Sequence, residues 1–325
     1  MLSVKFDRFG DPLDVLRLEE VPMPEPKAGE VLIRLLARPI NPSDLMTILG
    51  LYGRLPQLPA TPGYEAVGEI AALGEGVVGF SVGQRVIPLG IAGTWQEYTV
   101  APVDRLISVP EQMSDATAAQ FVVNPLTAWV MVVEELGLRP GDWLLQTAAA
   151  SALGKIVVQL GKLRGFKTVN VVRRPEQVEQ LKVLGADVVI CSPNGIFANE
   201  VRRLVAAEGV CYAIDAVGGE VGAEVVRSLA SHATMLIYGA LALAPIPLDV
   251  GTMIFKSITI RGFWLADWFE RVSLERRIEV MAGVLDLMAC GQIVAPVEAE
   301  YPLSEVISAV RHATSSGRSG KILLR

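Results

Sequence analysis

The stretch Trp143-Leu144-Leu145-Gln146-Thr147, followed by Ala148-Ala149-Ala150-Ser151-Ala152-Leu153-Gly154, decides the fold. Its first five residues read as a buried strand. After the small-residue turn, Leu153, Ile156, Val157, Leu160 and Leu163 return at helical spacing and mark one helix face. The same alternation then continues. Strands are expected at 168–172, 187–191, 211–216, 234–238 and 258–261, and helices at 175–184, 199–207 and 222–230. Pro175 suits a first helical turn. The strands are almost unbroken apolar runs, which implies burial on both faces. Strand–helix alternation of this kind predicts an α/β, doubly wound parallel sheet with right-handed crossovers.

Upstream the texture differs. The first 110 residues or so are rich in Gly and Pro. Short apolar runs at 31–36 and 65–73 are set apart by turns such as Pro24-Glu25-Pro26 and Gly74-Glu75-Gly76. That is the pattern of an irregular β-rich domain. Beyond Ala266 the sequence predicts a helix at 276–288, a strand at 298–302, a helix at 303–314 and a strand at 321–324. This tail is expected to return to the first domain. The expected division is therefore 1–120, 121–265 and 266–325.

Composition excludes several classes of function. Among 325 residues, 29 are basic and 35 acidic, so 29 − 35 gives a net charge of −6. Such a balance argues against nucleic acid as a partner. Cys191, Cys211 and Cys290 are too few and too scattered for a disulfide framework or a zinc knuckle, and they fit a reducing, cytoplasmic setting. Mean hydropathy is +0.41, which raises the question of a membrane. The window 116–133 carries Gln120, Asn124 and Pro125, and the window 233–248 is cut by Gly239, Pro245 and Pro247. Both read as core, so no membrane span is expected. The opening MLSVKFDRFG has neither a long apolar run nor an Arg-rich transit pattern.

In a doubly wound sheet the first strand–helix turn receives a phosphate. Here that turn is 147–154, and of the usual glycine fingerprint only Gly154 survives. Alanine and serine still allow a close backbone approach where φ is negative. A plain connection would look the same, so the turn needs its context. The second strand supplies it, ending Val171-Val172-Arg173-Arg174-Pro175. An NAD site has Asp or Glu near this point to hold the ribose hydroxyls. Two guanidinium groups there suit a 2′-phosphate, each charge-assisted bond contributing roughly 1.5–3 kcal/mol. Cations at the start of a helix are otherwise disfavoured. The expected cofactor is NADPH rather than NADH.

Further segments resemble a known family. They are Ile40-Asn41-Pro42-Ser43-Asp44, Gly50-Leu51-Tyr52-Gly53, Leu58-Pro59-Ala60 and Pro62-Gly63-Tyr64-Glu65-Ala66-Val67-Gly68. Together they are similar to the medium-chain dehydrogenase/reductase superfamily. Gly93-Thr94-Trp95, Val123-Asn124-Pro125-Leu126-Thr127-Ala128, Asn170-Val171-Val172-Arg173, Phe255-Lys256 and Arg261-Gly262-Phe263-Trp264-Leu265 resemble its trans-2-enoyl thioester reductase branch. Quinone reductases of the same superfamily share much of this outline. The resemblance covers nearly the whole chain. It implies a GroES-like catalytic domain interrupted by a Rossmann domain, an active site in the cleft, and a homodimer.

By position, the resemblance makes Tyr52 the catalytic tyrosine and puts Asn124 near the nicotinamide and ribose. Ala150, Ser151, Ala152 and Leu153 would meet the pyrophosphate, and Arg173 the 2′-phosphate, with Arg174 beside it. Tyr238, Gly239, Ala240 and Leu241, with Phe263, Trp264 and Leu265, would line the nicotinamide side, and Lys321 would approach from the tail. Trp95 and Trp264 are candidate walls for a substrate pocket, although large aromatics also serve ordinary packing. Ala152 replaces a common glycine, and Arg174 departs from the branch's usual acidic residue.

Many members of the superfamily bind zinc through Cys and His. Here Asn41 stands near the start of that site, and Tyr64 occupies the place of the His before Glu65. No metal is expected. His232 and His312, both late, read as a loop residue and a helix-surface residue. Without a Lewis acid to stabilise an alkoxide, reduction of an activated C=C is favoured over alcohol oxidation. Hydride added to the β-carbon of an enoyl thioester leaves charge on the thioester oxygen. A tyrosine, neutral at pH 7, can hydrogen-bond that oxygen or supply the α-proton. The substrate is then a small-molecule or acyl-carrier thioester. Two other readings stand: an NADPH:quinone oxidoreductase, and an NADPH-binding protein without catalysis.

Overall fold

The computed structural model describes residues 1–205 and 209–325. They form two compact units, 1–123 with 294–325, and 124–293. The second unit holds a six-stranded, all-parallel sheet. Its strands in chain order are Trp143–Gln146, Lys167–Val172, Val188–Cys191, Val210–Asp215, Leu229–Ile237 and Thr259–Gly262. Numbered so, they lie side by side as 3-2-1-4-5-6, the order of a dinucleotide-binding sheet whose direction reverses beside strand 1. The two central strands bury every residue except Trp143, Cys211 and Tyr212, which explains their unbroken apolar character.

The helices follow from local signals. Ala152–Arg164 starts at Ser151, whose hydroxyl accepts the Gly154 N–H, and stops at Gly165, φ +81°. Its face of Leu153, Ile156, Val157 and Leu160 is buried, as the periodicity predicts. The helix expected at 199–207 is observed as Ala198–Leu204; its expected end, 206–207, falls outside the described residues. The helix expected at 222–230 begins three residues earlier, as Gly219–Ser228, and Leu229 opens the next strand. Two short helices escaped the periodicity, Val250–Lys256 and Leu265–Arg271. At seven residues each, neither shows two full turns of pattern.

The first unit is β-rich. A seven-stranded sheet is built around the long strand Glu30–Pro39, which pairs antiparallel with Val67–Leu73, Tyr98–Pro102 and Lys321–Leu324. Lys321–Leu324 is buried throughout and pairs parallel with Val297–Tyr301, so the tail does return to the first sheet. The return begins at Val294, however, and not at 266. Residues 266–293, including the helix Leu274–Ala289, belong with the second unit. Arg276 ties this helix to Glu134, and Arg261 and Arg271 grip Glu135.

Candidate active site

In the second unit the predicted cofactor residues gather at the carboxyl ends of the strands. The turn after strand 1 is fastened to strand 2 by the Ala149 N–H, which donates to the Val171 carbonyl at 3.3 Å. Ala148 sits at φ +49°, an uncommon conformation for a residue with a Cβ. Gly154 has no room for a side chain, since a Cβ there would lie 2.4 Å from the Ala149 carbonyl oxygen. That contact packs the first turn of the helix tightly on the turn that precedes it. Beyond strand 4, Asp215 accepts from the Thr147 hydroxyl and from the N–H groups of Val217 and Gly218, which shapes the loop at the switch point. The Leu241 N–H bonds the Ala216 carbonyl and the Phe263 N–H the Ile237 carbonyl, so residues 238–241 and 263–265 share this edge. The Tyr238 hydroxyl is buried without a partner.

Arg173 is exposed at the end of strand 2, and Arg174 lies 3.2 Å from Glu176. The first carboxylate after the strand is thus taken by Arg174, and Arg173 is left as the available guanidinium. These features fit a phosphorylated dinucleotide. The first turn of Ala152–Arg164 offers free N–H groups and a positive dipole end to a pyrophosphate, and Arg173 offers charge to a 2′-phosphate.

In the first unit the chemistry centres on the helix Pro42–Ile48. Asn41 and Asp44 cap it reciprocally, with the Asn41 N–H donating to Asp44 Oδ2 at 2.7 Å. The turn that ends the helix passes Gly50, φ +76°, where a Cβ would press on Phe9, and presents Tyr52 half-buried. The Tyr52 ring lies 5.4 Å from that of Tyr64, tilted by 39°. Thr47 Oγ1 donates to the Ser43 carbonyl, so its lone pairs receive the Tyr64 hydroxyl at 2.6 Å. Burial, the main cause, raises the Tyr64 pKa. Tyr64 is thereby a fixed wall for Tyr52.

Behind these tyrosines lies a buried polar cluster. Glu65 accepts from Asn41 Nδ2 at 2.7 Å and from the N–H groups of Val122 and Val123 at 3.1 and 2.7 Å. Lys321 Nζ donates to Asn41 Oδ1 and to the Ile40 carbonyl. Burial drives the shifts here. Asp44 is pushed up to about 8, Glu65 is raised, and Lys321 is brought down to about 8 despite the nearby Glu65 and Asp44. Asp44, at about 8, keeps its proton at neutral pH, and the Glu65 carboxyl and the Lys321 amine attract each other across Asn41, which is how so many polar groups are tolerated in a core.

Sequence reasoning singled out Lys321 as a cofactor contact. The structure holds it 4% exposed, with its ammonium engaged by Asn41 and Ile40. Trp95, a candidate pocket wall, is fully buried among Val4, Phe6 and Ile48 and presents no surface to a substrate. Trp264 and Phe263 are half-buried. Asn124 is 9% exposed in the π-helical turn Val122–Leu126, which contains Pro125. Glu65 was overlooked as a site residue; its signal was a lone carboxylate in an otherwise apolar stretch. His232 lies exposed at a left-handed kink within strand 5. His312 is more than a helix-surface residue, because its ring joins Tyr301 at 2.9 Å to Glu298 at 3.2 Å.

A zinc ion does not fit this cluster. Both polar atoms of the Asn41 side chain are committed, Tyr64 bonds Thr47, and a lysine ammonium already supplies the positive charge. Among the described residues, no group of three or more His, Cys, Asp or Glu is arranged to hold a metal. No helix of the described residues is long and apolar enough to cross a membrane.

Comparison with known proteins agrees with this architecture. Residues 27–111 match the alcohol dehydrogenase GroES-like domain, and residues 152–283 match the zinc-binding dehydrogenase domain. The mitochondrial enoyl-[acyl-carrier-protein] reductase of Bos taurus is 36% identical over 99% of this chain and 88% of its own. Among solved structures, a Bacillus thuringiensis protein provisionally named an NADPH:quinone reductase superposes with a TM-score of 0.94 at 35% identity, covering 99% of this chain and 98% of that one. The 2-enoyl thioester reductase Etr1p/Etr2p heterodimer of Candida tropicalis gives 0.88 at 27% identity over the same shares. Etr1p in complex with NADP and crotonyl-CoA gives 0.89. The chain belongs to the medium-chain dehydrogenase/reductase superfamily, in the company of its enoyl thioester and quinone reductases and without the family's zinc ligands.

Proposed function

We propose that this protein reduces the C=C bond of a 2-enoyl thioester, on coenzyme A or an acyl carrier protein, with NADPH as reductant. The observation that carries the reading is the likeness to enoyl reductases, at 36% identity over 99% of the chain. In the second unit, residues 150–153 hold the pyrophosphate, Arg173 holds the 2′-phosphate, and residues 238–241 with 263–265 border the nicotinamide; Asn124 meets the ribose side. When bound, NADPH supplies the hydride that adds to the β-carbon. Tyr52 donates its hydroxyl hydrogen bond to the thioester oxygen as negative charge builds there, and a proton, from Tyr52 or from solvent, then adds to the α-carbon to give the saturated thioester. Tyr64 keeps the Tyr52 ring in place. The buried Glu65–Asn41–Lys321 cluster keeps the helix and turn that carry both.

The likeness to the provisionally named quinone reductase favours a second reading, in which a quinone accepts the hydride. Crotonyl-CoA and a benzoquinone, each followed by loss of NADPH absorbance, separate the two. Turnover of crotonyl-CoA at a kcat/KM at least tenfold above that of the quinone supports the first, and the reverse order supports the second. NADPH binding with neither acceptor reduced would leave a non-catalytic protein.

Arg173→Ala is expected to weaken NADPH by roughly 10- to 150-fold, the equivalent of one charge-assisted bond. NADH affinity should hardly change. Equal losses for both cofactors in a fluorescence titration would remove Arg173 from the 2′-phosphate site.

The strand Thr259–Gly262 is the edge of its sheet, and the adjacent helix leaves Val250, Ile254 and Phe255 68%, 63% and 86% exposed. An open edge beside apolar side chains suits a second copy of the chain. We therefore read the protein as a homodimer. Sedimentation at twice 34.9 kDa supports this, and a monomer at micromolar concentration refutes it. The three free cysteines fit a reducing compartment, cytoplasmic in our reading.

A further inference from the structure

The first unit contains a cavity of about 300 Å³ that shares no residue with the Tyr52, Tyr64 and Glu65 assembly. Arg34, Arg38 and Arg325 line it, together with Glu97, Tyr98 and Ser304. Arg38 is 1% exposed. Its Nε donates to the Gln96 carbonyl and one Nη to the Leu35 carbonyl, both at 3.1 Å, while the other Nη has no partner. No carboxylate lies within ion-pair distance of it among the described residues. A buried cation whose hydrogen bonds go only to carbonyls, with Glu97 attracting it beyond ion-pair distance and one N–H group unmet, is an unfavourable arrangement that an anion would complete.

The surroundings favour such an anion. Arg34 uses one nitrogen on Glu69 at 3.1 Å, and Arg325 grips Glu300 through two. Both remain partly exposed, at 48% and 34% of the side chain, so each can turn unused N–H groups toward the cavity. Glu97 is the only acid in the lining, and one of its oxygens already takes the Leu2 N–H at 2.7 Å. Glu69 and Glu300 offset Arg34 and Arg325, so the guanidinium of the lining without an ion-pair partner among the described residues is that of Arg38. The Tyr98 and Ser304 hydroxyls add hydrogen-bonding groups. Even with its pKa lowered by burial to about 10, Arg38 is charged at neutral pH.

We propose that this cavity is a second ligand site, separate from the reaction, which binds a small oxyanion, as free phosphate or as the phosphate or carboxylate of a small metabolite, against Arg38 and Arg34. The proposal does not depend on the reductase reading.

Titration calorimetry at constant ionic strength tests it, with inorganic phosphate and succinate as probes and chloride as the reference salt. Arg173→Ala serves as background, so that phosphate binding at the nucleotide site is not counted. Saturable binding of one equivalent of phosphate or succinate is expected, and the tighter of the two identifies the headgroup. Arg34→Gln should weaken it at least tenfold, and Glu97→Gln should strengthen it. Arg38→Met should abolish it; if that variant fails to fold, the Arg34 and Glu97 variants still decide. Heats no different from chloride for both probes, or an Arg34→Gln titration identical to the parent, would overturn the proposal and leave water as the partner of Arg38.

Discussion

Tyr52→Phe is expected to lower kcat for crotonyl-CoA reduction by about 10²- to 10³-fold, the usual cost of removing one donor to a developing oxyanion. NADPH affinity should stay within about twofold, because the residues proposed to hold the dinucleotide, 150–153 and Arg173, belong to the second unit. The expectation rests on placement. The turn through Gly50 presents Tyr52 against the ring of Tyr64, 5.4 Å away, and Tyr64 is itself anchored on Thr47. Phenylalanine preserves that ring contact and removes only the hydroxyl. Loss of folding is therefore not expected, and thermal unfolding of the variant should match the parent. A steady-state kcat unchanged by the substitution would take Tyr52 out of the mechanism.

Glu65→Leu is expected to cost about 3–5 kcal/mol of stability in urea unfolding, because it strips a buried ammonium of its counter-charge. It also orphans the Asn41 amide and the Val122 and Val123 N–H groups. Adding Lys321→Met should recover part of the loss, since the pair is coupled. The same cluster sets a pH dependence. The Asp44 carboxyl, raised to about 8, keeps its proton in the folded chain where the unfolded chain loses it. Its contribution to stability is complete below the ordinary carboxyl range and fades as pH climbs toward 8. Lys321, lowered to about 8, acts in the opposite sense above that pH, where the folded chain sheds a proton that the unfolded chain retains. Tm measured from pH 5 to 8 should fall in the parent and fall less in Asp44→Asn. A steeper fall in the variant would contradict this assignment.

The Rossmann unit was legible because its determinants are local. A 3.6-residue period after Ser151, a two-faced apolar strand, and a pair of arginines at the end of the second strand each sit within one window of sequence. The observed strands fall within a residue or two of their expected places, except that strand 5 starts earlier, at Leu229. The domain boundary at 266 was misplaced because the helix Leu274–Ala289 has an apolar face that fits any partner. What ties it and the segment before it to the second unit includes ion pairs from Arg276 to Glu134 and from Arg271 to Glu135, across more than a hundred positions of chain. The Glu65–Asn41–Lys321 cluster is of the same kind. Lys321 and Asn41 are separated by 280 residues, and no periodicity links them. The residues that distinguish this chain from zinc-dependent relatives could be read from sequence, but the ammonium beside them required the fold.

The proposed reaction transfers hydride from NADPH to the β-carbon of an enoyl thioester without a metal. Incubation of the chelator-treated protein with crotonyl-CoA and NADPH deuterated at the transferable position of C4 tests it directly. Butyryl-CoA carrying one deuterium at C3 and none at C2 is expected, formed at the same rate with or without chelator. Deuterium at C2, or no butyryl-CoA from protein that binds NADPH, would contradict it.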